Sequence, residues 1–127
     1  MRRARDLVLA VAAASLLLVP ALAAADPIAI GGVGASSHML PNGNTQVRFT
    51  VRVETFTSPL EFNYHWERSD GAKSAVKTYY VRPGTRSVPI TTTWSLGPGA
   101  AAEVWQKLFV NTGNTHLQSE PVKYRLH

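Results

Sequence analysis

Apolar and polar positions alternate most regularly between residues 45 and 56. Val47, Phe49, Val51 and Val53 fall on one side, and Gln46, Arg48, Thr50, Arg52 and Glu54 on the other. A period of two is that of a β-strand with one buried face. The same period returns at 60–68, where Phe62, Tyr64 and Trp66 alternate with Asn63, His65 and Glu67, and Asp70-Gly71 follows as turn chemistry. Shorter strand-like runs lie at 28–33, 75–82, 87–94, 102–110 and 122–126. Between them stand Pro41-Asn42-Gly43-Asn44, Thr57-Ser58-Pro59, the glycine- and alanine-rich stretch 97–101 and Asn111-Thr112-Gly113-Asn114. No segment of 26–127 carries a helical period. About seven short antiparallel strands at this spacing predict an all-β, two-sheet sandwich.

Parity constrains how neighbouring strands join. If Pro83-Gly84-Thr85 is a three-residue hairpin loop, Tyr80, Thr78 and Val76 face Val88, Ile90 and Thr92. A two-residue loop would instead bring Lys77 opposite Ile90 on the buried side, which is costly. The three-residue loop is expected, with Gly84 or Thr85 at positive φ. At Asp70-Gly71 a tight hairpin would place Lys77 and Tyr79 on the Trp66 face, so the chain either crosses to the other sheet there or uses a longer loop. Pro89 has no N–H for a ladder, which points its strand to an edge or a bulge.

The N-terminus changes the picture of where this domain resides. Arg2, Arg3 and Arg5 precede a run from Leu7 to Leu22 that is apolar apart from Ser15 and Pro20, and Ala21-Leu22-Ala23-Ala24-Ala25 supplies small residues in an A-x-A arrangement. That is the pattern of a signal peptide, residues 1–25, ahead of one domain, residues 26–127. The apolar run is shorter than the ~20 residues of a spanning helix. The expectation is therefore a secreted, extracellular domain with no membrane span after cleavage. N-terminal sequencing of exported material should begin at Ala24 or Asp26; recovery of only the full-length chain, in membranes, would overturn this.

Loss of Arg2, Arg3, Arg5 and Asp6 lowers the formal charge from +5 to +3. So small an excess, with no block of like charge, argues against nucleic acid as a partner. Cysteine is absent, so the fold must stand on packing without disulfides, and thiol catalysis is excluded.

Catalytic and metal-binding patterns are sparse. His38, His65, His116 and His127 have no i,i+2 or i,i+4 partner of their kind, and no metal site or cofactor is expected. Glu61 and Glu67 share a strand face but stand ~20 Å apart, beyond the ~5–9.5 Å that paired carboxylates use on glycosides. Gly31-Gly32-Val33-Gly34 lacks the Lys-Ser/Thr of a phosphate loop.

Trp66 and Trp94 continue apolar faces and are expected in the core. Trp105 differs. On 102–110, Val104, Leu108 and Val110 share a face with Gln106, and Trp105, Lys107 and Phe109 share the other. Burying Gln106 costs less than burying Lys107, so the aliphatic face goes inward and Trp105 and Phe109 outward. A bulge in 97–101, or a strand lying over them, would reverse this. With the sixth strand between the third and the last, Trp105, Phe109, Lys107, His65, Lys123 and Arg125 collect on one outer face, a candidate ligand-binding surface for glycan or protein.

Tyr64-His65-Trp66-Glu67-Arg68-Ser69-Asp70-Gly71-Ala72, Pro83-Gly84-Thr85 and Thr91-Thr92-Thr93-Trp94-Ser95-Leu96-Gly97 resemble a set of immunoglobulin-like domains of exported bacterial proteins, with a Y-x-W-x-R-S-D-G core and a T-T-x-W-x-L-G segment. The resemblance covers about residues 45–126. It implies an immunoglobulin-like sandwich in which a strand Trp fills the core, and a non-catalytic module that carries over no catalytic residue. The domains it resembles often hold two cysteines, which are missing here. The function expected is an exported binding or structural module that contacts a cell-surface glycan or protein partner; the alternative is a secreted enzyme inhibitor or a small enzyme without a recognisable motif.

Overall fold

A computed structural model describes residues 26–126. The signal-peptide expectation falls on residues 1–25, outside the described residues. Eight strands follow one another: β1 (Ile28–Met39), β2 (Thr45–Thr55), β3 (Leu60–Arg68), β4 (Lys77–Val81), β5 (Ser87–Leu96), β6 (Glu103–Thr112), β7 (Thr115–Gln118) and β8 (Val122–Arg125). One sheet has the order β1-β2-β5; the other runs β4-β3-β6-β7, with β8 also paired to β6. Every pairing is antiparallel. The fold is the all-β, immunoglobulin-like two-sheet sandwich that the sequence predicts.

The core follows from the alternation of β2, β3 and β6. Val47, Phe49, Val51 and Val53 are fully buried at the centre of the first sheet. Phe62 and Trp66 from β3, with Val104, Leu108 and Val110 from β6, meet them from the second. Gln106 is 2 % exposed and lies on this inner face, as the comparison with Lys107 requires. Trp94 departs from expectation. It stands opposite Val47 on the inner side of β5, but at the margin of the core, half-buried, with the Arg68 guanidinium 4.3 Å above its ring.

The β4–β5 hairpin expected from parity does not form. β5 pairs with β2 from Thr45↔Leu96 to Glu54↔Ser87, a ten-residue ladder that buries Val88 and Ile90. β4 stays with β3, Leu60↔Val81 to Tyr64↔Lys77, so the segment between β4 and β5 crosses from one sheet to the other. Gly84, at φ 84°, makes the turn in that crossing. The longer-loop alternative at Asp70-Gly71 is the one realised, through loop 69–76. Lys77 and Tyr79 do lie on the inner side of their sheet, but on a rim strand, where Lys77 reaches solvent and Tyr79 stacks on Phe62 at 5.5 Å. A rim strand relaxes the parity rule because its inner face is open at the side.

Two further elements escape the periodicity. β1 continues past residue 33 to Met39 through a register shift between Ile30 and Val33. Gly31 permits it: a Cβ there would stand 3.1 Å from the Arg52 carbonyl oxygen and sterically overlap the Glu54 carboxylate. β7 is joined to β6 by the two-residue turn Gly113-Asn114, with Gly113 at φ 55°. Pro89 sits on β5, a rim strand, as its missing N–H demands.

A serine device repeats where the second sheet is interrupted. Ser119 N–H donates to the Leu108 carbonyl at 2.8 Å and its Oγ accepts from Leu108 N–H at 2.9 Å. Ser74 does the same to Trp66, at 2.9 and 2.8 Å, and Ser69 to Trp105, at 2.9 and 3.2 Å. In each case one serine supplies both a donor and an acceptor to a strand residue that has a ladder partner on its other side only.

Candidate functional site

The outer face of the second sheet is assembled from alternate residues of β3, β6, β7 and β8. Because their partners inside are apolar, His65 and Glu67 on β3 and Trp105, Lys107 and Phe109 on β6 must point away from the core. The pairing sets them in rows. His65 lies opposite Phe109, Glu67 opposite Lys107 and Trp105 opposite Lys123; Phe109 in turn faces Gln118, and Glu103 faces Arg125. All six residues singled out from the sequence, Trp105, Phe109, Lys107, His65, Lys123 and Arg125, thus share this surface. Trp105, Phe109, Lys107 and His65 are half-buried; Lys123 and Arg125 are exposed.

Ring contacts stiffen the row. The His65 imidazole lies flat on Phe109, with centroids 4.9 Å apart and planes inclined by 7°. Lys107 Nζ stands 5.9 Å from the Trp105 ring centroid, within cation–π range. Trp105 and Phe109 are about 13 Å apart along β6 at ~3.3 Å per residue. Among the described residues no strand lies over them, because β7 and β8 pair edge-on with β6 rather than covering it.

The charge pattern is more balanced than the sequence suggests. His65 Nε2 donates to Glu67 Oε2 at 3.1 Å, and Lys73 Nζ approaches the same oxygen at 3.6 Å. The His65 hydrogen bond holds the Glu67 carboxyl below the usual carboxylate range; a smaller desolvation opposes this, and Lys73 adds to it. Arg125 reaches Glu103 at 3.9 Å. Lys107 and Lys123 join no ion pair among the described residues, which places the uncompensated positive charge beside Trp105. Lys73, Glu103 and Gln118 were not singled out from the sequence. Lys73 arrives through an isolated bridge to Glu67 from loop 69–76, and Gln118 through a strand with a single aliphatic residue, Leu117. Neither leaves a periodic signal.

Other features lie apart from this face. His116 sits at its far end, where Nδ1 donates to Asn111 Oδ1 at 2.6 Å, and His38 is on β1 in the other sheet. A groove of about 410 Å³ opens at one end of the sandwich, bordered by Met39, Leu96, Pro98 and Tyr124. One of about 420 Å³ lies beside Phe56, Ser58 and Arg86. Among the described residues no three His, Cys, Asp or Glu side chains come together as metal ligands would. No protein-family model, curated protein or solved structure matches this chain.

Proposed function

We propose that this chain is an exported, non-catalytic binding module whose contact surface is the outer face of β3, β6, β7 and β8. The observation that carries the reading is the half-buried row of Trp105, Phe109 and His65, over which no strand lies among the described residues, with Lys107 and Lys123 beside it. Flat rings with polar neighbours suit either the faces of sugar rings or a protein surface. A sheet face is broad and shallow, so it fits an extended glycan or a partner surface better than a small enclosed molecule. The two lysines favour ligands with anionic groups and make contact sensitive to salt. The arginine-rich, apolar and alanine-rich start supports export, and the likeness to immunoglobulin-like domains of exported bacterial proteins supports a role in binding rather than catalysis.

The test is retention of the purified chain on cell-wall polysaccharide and on immobilised acidic glycans. Trp105→Ala with Phe109→Ala should abolish retention while the domain stays folded by circular dichroism, and retention of the unaltered chain should fall as salt rises. Equal retention by the double variant would remove the face from consideration. Unfolding of the double variant would show that both rings are structural.

A further inference from the structure

Glu67 and Lys107 stand directly opposite each other on the outer face of β3 and β6, yet they form no ion pair. Opposite charges across an antiparallel ladder ordinarily attract. Here the two side chains turn opposite ways along the sheet. Glu67 turns to the His65–Phe109 row, where its Oε2 accepts from His65 Nε2 at 3.1 Å and lies 3.6 Å from Lys73 Nζ. Lys107 turns to the next row, and its Nζ stands 5.9 Å from the centroid of the Trp105 ring. On the other side of β6, Lys123 is the ladder partner of Trp105. Arg125, the next outward residue of β8, is answered by Glu103 at 3.9 Å. Among the described residues Trp105 is therefore flanked by two ammonium groups without a carboxylate partner. The other ring of the row is placed differently. One face of Phe109 is already taken by the His65 imidazole, 4.9 Å away and inclined by only 7°.

We infer that Trp105, Lys107 and Lys123 form a subsite for an acidic sugar: the indole takes the pyranose ring and the two ammonium groups take its carboxylate, so the ligand of this face is a polysaccharide of uronic acids. The inference rests on the binding role proposed above and narrows it to one class of ligand. What selects that class is a ring and an anion held on the same rigid unit, matching an indole with cations at its side and at one end. An acidic peptide carries its carboxylates on flexible stems and would meet the lysines without using the indole. A neutral glycan would use the indole but leave the ammonium groups partly desolvated and unanswered, which is costly. His65 and Lys73 act as positioning residues. By holding Glu67 in the neighbouring row, they keep its carboxylate from neutralising Lys107.

Titration calorimetry of the purified chain with polygalacturonate, alginate and hyaluronan tests this. At least one should bind, and methyl-esterification of its carboxylates should weaken binding roughly tenfold or more. Polyglutamate, which has the carboxylates without the rings, should bind no better than the ester. Trp105→Ala should weaken binding roughly tenfold, as loss of an aromatic anchor does. Lys107→Met and Lys123→Met should weaken it less and flatten its salt dependence. His65→Phe keeps a ring against Phe109; combined with Lys73→Met it releases Glu67 and should weaken binding as much as Lys107→Met does. Adding Glu67→Gln should restore it, a rescue that a merely structural role of His65 would not give. Binding that survives His65→Phe with Lys73→Met, or a loss that Glu67→Gln does not rescue, would overturn the positioning role. Equal affinity for the ester or for polyglutamate would overturn the acidic-sugar assignment while leaving the face a binding surface. Failure to bind any of the polyuronates would overturn it too, and the broader reading would then rest on retention by neutral cell-wall polymer. Full affinity in the Trp105→Ala, Phe109→Ala double variant would remove both.

Discussion

Trp66→Ala should cost about 3–5 kcal/mol, the usual range for deleting a large aromatic ring from a packed core. Trp66 is 3 % exposed, lies opposite Leu108 in the ladder, and belongs to the cluster that joins Phe62 to Val104 and Val110. The loss is measured against a total of ~5–15 kcal/mol for a domain of this kind. No disulfide among the described residues would hold the unfolded chain together. The variant should therefore show a sharply lower urea midpoint or no cooperative transition. Trp66 Nε1 is buried with no hydrogen-bond partner, so Trp66→Phe sheds an unsatisfied donor along with some volume. It should cost much less than the alanine change. A midpoint unmoved by Trp66→Ala would mean that the ring does not fill the space between the sheets.

Ser119→Ala should cost about 1–3 kcal/mol, the penalty for leaving a buried polar group without a partner. Ser119 is 3 % exposed and its Oγ is the acceptor for the Leu108 N–H. Removing the hydroxyl leaves that N–H buried at the joint between β7 and β8, where no ladder residue replaces it. Ser69 and Ser74 make the same two-way contact with Trp105 and Trp66, but both are exposed, and water can take the place of their hydroxyls. Ser69→Ala and Ser74→Ala should each cost less than about 1 kcal/mol. The denaturant midpoint of Ser119→Ala should fall below those of Ser69→Ala and Ser74→Ala. Equal midpoints would show that burial does not set the worth of this contact.

Much of the candidate face is legible in the chain because it depends on parity alone. Once Val104, Leu108 and Val110 are assigned inward, Trp105, Lys107 and Phe109 can only point outward, and the same holds for His65 opposite Trp66 on β3. The partners that moderate its charge were not legible. Lys73 reaches Glu67 from a loop, and Glu103 reaches Arg125 across strands whose ends a periodic pattern does not mark.

By itself, the sequence determined the all-β class, the inner faces of β2, β3 and β6, the burial of Gln106 over Lys107, the confinement of Pro89 to an edge or a bulge, and a positive φ at Gly84 or Thr85, of which the structure takes Gly84. Each of these follows from local physics: a two-residue period, the cost of burying charge, a missing N–H, or the steric freedom of glycine. Only the tertiary structure decided which strands share a sheet. A local hairpin between β4 and β5 satisfied parity as well as any alternative, yet β5 gains a ten-residue ladder on β2 and β4 gains Phe62 beneath Tyr79. The bulge that carries β1 on to Met39 and the serine that replaces a ladder neighbour in β7–β8 were decided in the same way. These choices rest on contacts between residues far apart in the chain, whose strength depends on the shape of the assembled core rather than on the order of residues within any one strand.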